Sequence, residues 1–168
     1  MSLTRNRKPE TGNRLDDGNV IVELALVLPF LLLVVAGIVD VGLLYWEKHI
    51  ITNASREGAR AGARAGVSGA ANLRVSQVEA VVQDYLNRFH LKGPDDSPIV
   101  LTQNGNFFYT WDLSSAPGTM TVELRDIPVK LMLLPNVSSL LGGGLGSDPV
   151  RLRAATTMAA EWTTAPLP

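Results

Sequence analysis

The chain has no cysteine, so a disulfide framework and a thiolate metal site are both excluded. Its two histidines, His49 and His90, stand at no ligand or triad spacing, and each is read as structural. The sequence also lacks a nucleophile elbow, a paired metal motif and a phosphate loop, so the expectation is a non-enzymatic protein with no cofactor and no metal. The net charge is −1, without the basic excess that draws proteins to nucleic acid, and no nucleic-acid partner is expected. The lone acidic pair Asp95-Asp96 is read as a solvated loop.

Charge is scarce as well: 18% of residues are charged against 46% hydrophobic, and mean hydropathy is positive. A chain of 168 residues suits one modest domain plus a membrane element, with the apolar excess local rather than spread over a soluble surface. Much of that excess lies in residues 20–46. Residues 24–39 hold no charge, and only Asp40 interrupts residues 24–46. Over those 23 residues a helix rising ~1.5 Å per residue extends ~35 Å, enough for a hydrocarbon core of ~30 Å. A core helix is the bland alternative, but the rest of the chain could hardly bury an element apolar on every face. A secretory signal peptide is the next rival, because Arg5, Arg7, Lys8 and Arg14 precede the stretch. The stretch is too long for such a segment and has no small-x-small cleavage site at its far end. Basic residues flank it on both sides, with Lys48, Arg56, Arg60 and Arg64 beyond it, so charge bias does not orient it. Retention of the short leader places the N-terminus on the cytoplasmic side. Asp40, near the outer edge, is expected to reach for the interface.

Beyond Trp46 the helical period continues. Arg56, Arg60 and Arg64 recur every four residues and so share a face, read either as a solvated face or as a contact for headgroups or a neighbouring subunit. Gly58, Gly62 and Gly66 form a separate small-residue stripe, suited to close helix packing. A second helix is expected after residue 73, with Ser76 as N-cap and Glu79 completing a capping box, and with Lys92-Gly93-Pro94 ending it. From Ile99 the period switches to two. Asn104-Gly105 signals a hairpin joining two strands, Pro117-Gly118 turns into a strand with Met120, Val122 and Leu124 on one face, and Val150, Leu152, Ala154, Thr156 and Met158 line a last strand. Four antiparallel strands are therefore expected. The segment between the last two, with Leu131 to Leu134 and then Gly142-Gly143-Gly144-Leu145-Gly146, is read as a flexible loop with an apolar anchor.

One carboxylate needs separate explanation. Glu23 stands five residues after Gly18 at the lip of the apolar run, where a charge is costly. The stretch Gly18-Asn19-Val20-Ile21-Val22-Glu23-Leu24-Ala25-Leu26-Val27-Leu28-Pro29, continuing through Gly37, Asp40 and Gly42 to Ala54-Ser55-Arg56-Glu57-Gly58-Ala59-Arg60, resembles the TadE-like pseudopilins of tight-adherence (Flp-type) pilus systems. The likeness runs over residues 18–162, including Thr121-Val122-Glu123-Leu124 and the Ile127-Pro128 step toward Leu134-Pro135.

The resemblance implies an α+β, pilin-like fold: a long N-terminal membrane helix plus a second helix packed on a small antiparallel sheet. It divides the chain into a prepilin leader (1–18), a transmembrane helix (19–46), a helix extension and loop (47–72) and an extracytoplasmic α+β domain (73–168). Processing would fall between Gly18 and Asn19, by a prepilin peptidase. Glu23 and Pro29 would serve assembly, Glu23 by meeting the freed α-amino group of a neighbouring subunit and Pro29 by bending the helix. The implied partners are the membrane, the prepilin peptidase, other pilins or pseudopilins of the same system and its pilus assembly platform. An uncleaved single-pass anchor carrying a binding module outside the membrane is the alternative.

Overall fold

A computed structural model describes residues 14–64, 75–114 and 116–162. The first element is α1, Arg14–Arg64, a helix of 51 residues with Pro29 inside it. A second helix, α2, covers Val75–Arg88. Three strands follow, β1 (Phe107–Asp112), β2 (Thr119–Val129) and β3 (Val150–Ala159), with a short helix α3 (Leu134–Leu140) between the last two. They form one antiparallel sheet in the order β1-β2-β3. The class is α+β, as expected, with the long helix, the second helix and a small antiparallel sheet.

The upper part of α1 lies on the inner face of the sheet, and α2 packs beside it. The core is built from Ile51, Ala54 and Ala59 of α1, Val78, Val82 and Leu86 of α2, and Phe107, Met120, Val122 and Leu124 of the sheet. The alternation expected for β2 holds until Leu124. There Asp126 takes a left-handed conformation at φ 51°, and the register slips between Leu124 and Ile127. The extra residue is a bulge, and its effect is to return Ile127 and Val129 to the buried face.

Three expectations fail in the fold. The fourth strand is absent among the described residues. Asn104 does turn the chain, at φ 61°, and Thr102 O accepts from the N–H groups of Gly105, Asn106 and Phe107. The segment before it, however, finds partners outside a ladder: Gln83 Nε2 donates to Ile99 O at 2.8 Å and Gln83 Oε1 accepts from Leu101 N–H at 2.8 Å. With Ile99 and Leu101 buried and their backbone groups held by an α2 side chain, pairing with β1 adds nothing.

The second failure concerns the ends of α2. Ser76 lies inside the helix rather than at its cap, and residue 74 is outside the described residues. The far end stops before Lys92-Gly93-Pro94, at a Schellman motif: Leu91 N–H donates to Leu86 O and His90 N–H to Asn87 O, with His90 at φ 52°. Leu86 and Leu91 are both buried, supplying the apolar contact that accompanies this motif.

The third failure is the loop between the last two strands. It contains α3, which ends in its own Schellman motif, Gly143 N–H to Ser138 O at 2.8 Å and Gly142 N–H to Ser139 O at 3.0 Å. Gly142 sits at φ 77°, so Gly142 and Gly143 serve a defined helix end.

Candidate membrane and assembly surface

The lower part of α1 has no cover from its own chain. Val20, Ile21, Val22, Leu24, Leu26, Phe30 and Leu31 are all more than half exposed. Among the described residues one helix, Asn19–Arg64, is long and apolar enough to cross a membrane. In water such a surface would be strongly disfavoured at ~25 cal/mol per Å², so its environment has to be lipid or another apolar surface. Asn19 and Glu23 are exposed on this stretch, and Pro29 is partly covered. Gly18 lies within the helix.

The upper part of α1 is built differently. Gly58 faces α2 and the sheet; a Cβ there would overlap Val82 Cγ2, with Val122 Cγ1 and Val78 Cγ1 both 3.6 Å away. Gly62 faces β1 and β2, where an added Cβ would lie 3.0 Å from Met120 Sδ and from Tyr109 Oη. The structure thus puts these two glycines into contacts within the chain, while Gly66 lies outside the described residues. Ser55, buried in the same interface, donates to Val122 O at 2.9 Å and lies 3.0 Å from Thr156 Oγ1. At the top of the helix Trp162 Nε1 donates to Gly62 O at 2.7 Å, and Glu161 N–H donates to Ala63 O at 3.2 Å. Both acceptors are carbonyls of the last turn, which have no partner inside a helix.

Arg56, Arg60 and Arg64 stand together on the exposed side of this part of α1. Arg60 pairs with Glu57 at 3.0 Å, an exposed pair worth about 0.3–0.5 kcal/mol at most. A second charged group occupies the outer face of the sheet. Glu123, largely buried, accepts from Arg125 at 2.6 Å and from Arg153 on β3, and Arg125 lies 4.4 Å over the ring of Phe108. The Arg125 hydrogen bond in particular holds the Glu123 carboxyl below the usual range.

The largest departure from expectation is Asp40. Rather than reaching for an interface, it is 1% exposed. Its Oδ1 accepts the N–H groups of Met132 and Leu133 at 3.0 Å each, and its Oδ2 accepts those of Leu133 at 3.1 Å and Leu134 at 2.6 Å. These are donors around the first turn of α3, whose N-cap is Leu133 with no side-chain cap of its own and with Pro135 following. A carboxylate at a helix N-terminus meets both the orphan donors and the positive end of the dipole. Two sequence signals bear on this pairing: an aspartate in a membrane-length helix requires a partner, and Leu133-Leu134-Pro135 opens a helix without a local cap.

Glu47 stands just above the apolar stretch. Its Oε2 is buried with no hydrogen-bond partner among the described residues, and desolvation raises its pKa from 4.5 to about 7. His49 and His90 are exposed, and among the described residues no three His, Cys, Asp or Glu side chains cluster in a way that could hold a metal.

Residues 18–60 match a family model described as TadE-like protein. The match begins at Gly18, takes in Glu23, Pro29, Asp40, Arg56, Gly58 and Arg60, and is consistent with a pilin of the Tad (Flp-type) system; residues 61–168 lie outside it. No curated protein and no solved structure matches the chain.

Proposed function

We propose that the protein is a minor pilin or pseudopilin that supports assembly of a Flp-type, tight-adherence pilus, acting as a structural subunit rather than an enzyme. One observation carries this reading: the family match starts at Gly18, five residues before a lone exposed carboxylate on a helix whose apolar side chains find no cover in their own chain. A surface of that kind serves first as a membrane anchor and then, in a filament, as the packing surface between subunits.

Cleavage after Gly18 by a prepilin peptidase leaves Asn19 with a free α-amino group. Glu23 of a neighbouring subunit then answers that charge. Each group is expensive to bury alone, and removing one partner of a buried pair costs ~3–5 kcal/mol, so the pairing also sets the register between subunits. Pro29 leaves the carbonyl one turn below without its usual donor, a defect tolerated where neighbouring helices compensate. In this reading the N-terminus is cytoplasmic, the α+β domain lies outside the membrane, and the partners are other pilins of the system and its assembly platform.

The test is the intact mass of the membrane-extracted chain after co-expression with its own prepilin peptidase. Loss of residues 1–18 is expected. Retention of those residues would sink the pseudopilin reading in favour of an uncleaved anchor with a binding module. Glu23→Ala should insert normally but weaken association with partner pilins by about a hundredfold or more, the equivalent of ~3 kcal/mol; unchanged assembly removes the role of the carboxylate.

A further inference from the structure

The longest charge-free run in the chain is not in α1. It is residues 131–147, between Lys130 and Asp148, and it contains α3. Its large side chains point outward: Leu140 is 84% exposed, Leu145 60% and Met132 57%, with Leu133 and Leu141 also exposed. A surface this apolar, free of charge and standing clear of the core, needs an occupant.

The height of the segment identifies one. Asp40 ties the start of α3 to α1 through four hydrogen bonds, and Ala36, one turn below, is buried as well. Tyr45 and Trp46 are exposed on α1 above this level, and exposed aromatics of this kind mark the membrane–water boundary. From Asp40 to Trp46 the helix rises ~9 Å. Measured from the other end, Asp40 lies ~24 Å above Leu24, short of the ~30 Å depth of the hydrocarbon core. Both measures put the root of α3 below the aromatic level, inside the leaflet on the domain's side.

Lipid requires a backbone to satisfy its polar groups internally, and both ends of α3 do so. Asp40 takes the N–H groups at the start of α3, and the Schellman motif closes its end. Asn136 Nδ2 donates to Met132 O at 2.7 Å. The buried Ser138 hydroxyl lies 3.1 Å from Pro135 O and 3.2 Å from Leu145 O. Gly146 closes the loop against Leu131 and Leu134, where a Cβ would sit 2.8 Å from Leu131 Cδ1.

We propose that residues 131–146 are a second membrane element, a short helix and turn that embed Met132, Leu133, Leu140, Leu141 and Leu145 among the acyl chains of the leaflet on the domain's side. The inference rests on the reading of α1 as a membrane helix. Its consequence is that the domain does not swing freely on a stalk: α1 and α3 together fix its height and its rotation about the membrane normal.

The chain's lack of cysteine allows a clean test. Leu140→Cys and Leu145→Cys, with Val34→Cys in α1 and Thr110→Cys on the exposed part of β1, each carry a nitroxide in the full chain. The labelled chains are reconstituted at high dilution into phosphatidylethanolamine–phosphatidylglycerol vesicles, and collision with oxygen is compared with collision with a water-soluble nickel chelate. Labels at 140 and 145 are expected to favour oxygen over nickel, as at 34, while the label at 110 favours nickel. Labels at 140 and 145 that behave like the one at 110, or that are shielded from both probes by another copy of the chain, overturn the proposal while leaving the membrane reading of α1 intact. A water-exposed label at 34 would overturn both.

Discussion

Residues 19–35 and residues 50–64 belong to one unbroken helix, yet they solve burial in opposite ways. The lower stretch carries Leu, Val, Ile and Phe around its whole circumference and remains exposed. The upper stretch places Ala54, Ser55, Gly58, Ala59, Gly62 and Ala63 toward its neighbours and hides them. Large aliphatic side chains on all sides take their cover from the surroundings, as a membrane segment must. Small side chains on one side bring the backbone of α1 close to the sheet and α2, where contact density does the stabilising. Helix propensity distinguishes the two poorly, because the glycines that weaken an isolated helix by ~1 kcal/mol each occupy positions where any larger group would collide.

The contrast breaks most sharply in the core of the domain. Ile51→Ala removes a fully buried side chain and should cost ~2–5 kcal/mol, whereas Leu26→Ala, 77% exposed in wild type, should leave the unfolding of the α+β domain in detergent unmoved. A denaturation series on both variants checks this; equal losses would mean that the lower helix supports the domain directly. Next comes the glycine stripe. Gly58→Leu forces a side chain into the stiff Val82 contact and should cost about 3 kcal/mol. Gly37→Ala, with open space around it, should be neutral or stabilising by up to ~1 kcal/mol.

Asp40→Ala acts between the two regions. It strips the donors of Met132, Leu133 and Leu134 of their acceptor, and leaving such groups unsatisfied costs ~1–3 kcal/mol. Faster amide exchange confined to residues 132–141 is expected, with the core of β2 unaffected. The smallest effect is at Glu47. Its folded pKa of about 7 lies above the ordinary 4.5, so between those values the folded chain binds more protons than the unfolded one, and stability falls as pH rises through that window. Glu47→Gln should flatten this slope and raise stability above neutral pH, read from melting temperatures across the range.

Much of the fold was legible because its cues are local. The uncharged run at 24–39, the alternation of Met120, Val122 and Leu124, and the Pro117-Gly118 turn each act over a few residues, and the helix, the strand and the turn into it are present. The exceptions take two forms: a side chain distant in sequence supplied hydrogen bonds that the local pattern assigned elsewhere, or a helix-end motif closed at residues that the pattern had not marked. Gln83 held the backbone at Ile99 and Leu101, removing the strand that Asn104-Gly105 announced. His90 accepted a left-handed conformation and ended α2 early, because Leu86 and Leu91 could then close over the core. At the candidate surface, Gly18, Glu23 and Pro29 were legible as a pattern on one helix, and so were the exposed arginines. The partner of Asp40 was not, because it lies more than ninety residues away.

By itself the sequence determined that the chain has one helix of membrane length, a carboxylate at its lip and an α+β domain beyond it, since hydrophobic period and charge placement are properties of short segments. Only the tertiary structure decided how that domain meets the helix. The glycines became contact points, the aspartate became the cap of another helix, and an apolar loop was tied to the long helix through that aspartate. A buried polar group must find its partner wherever folding delivers one, and no pattern read along the chain states which distant residue that will be.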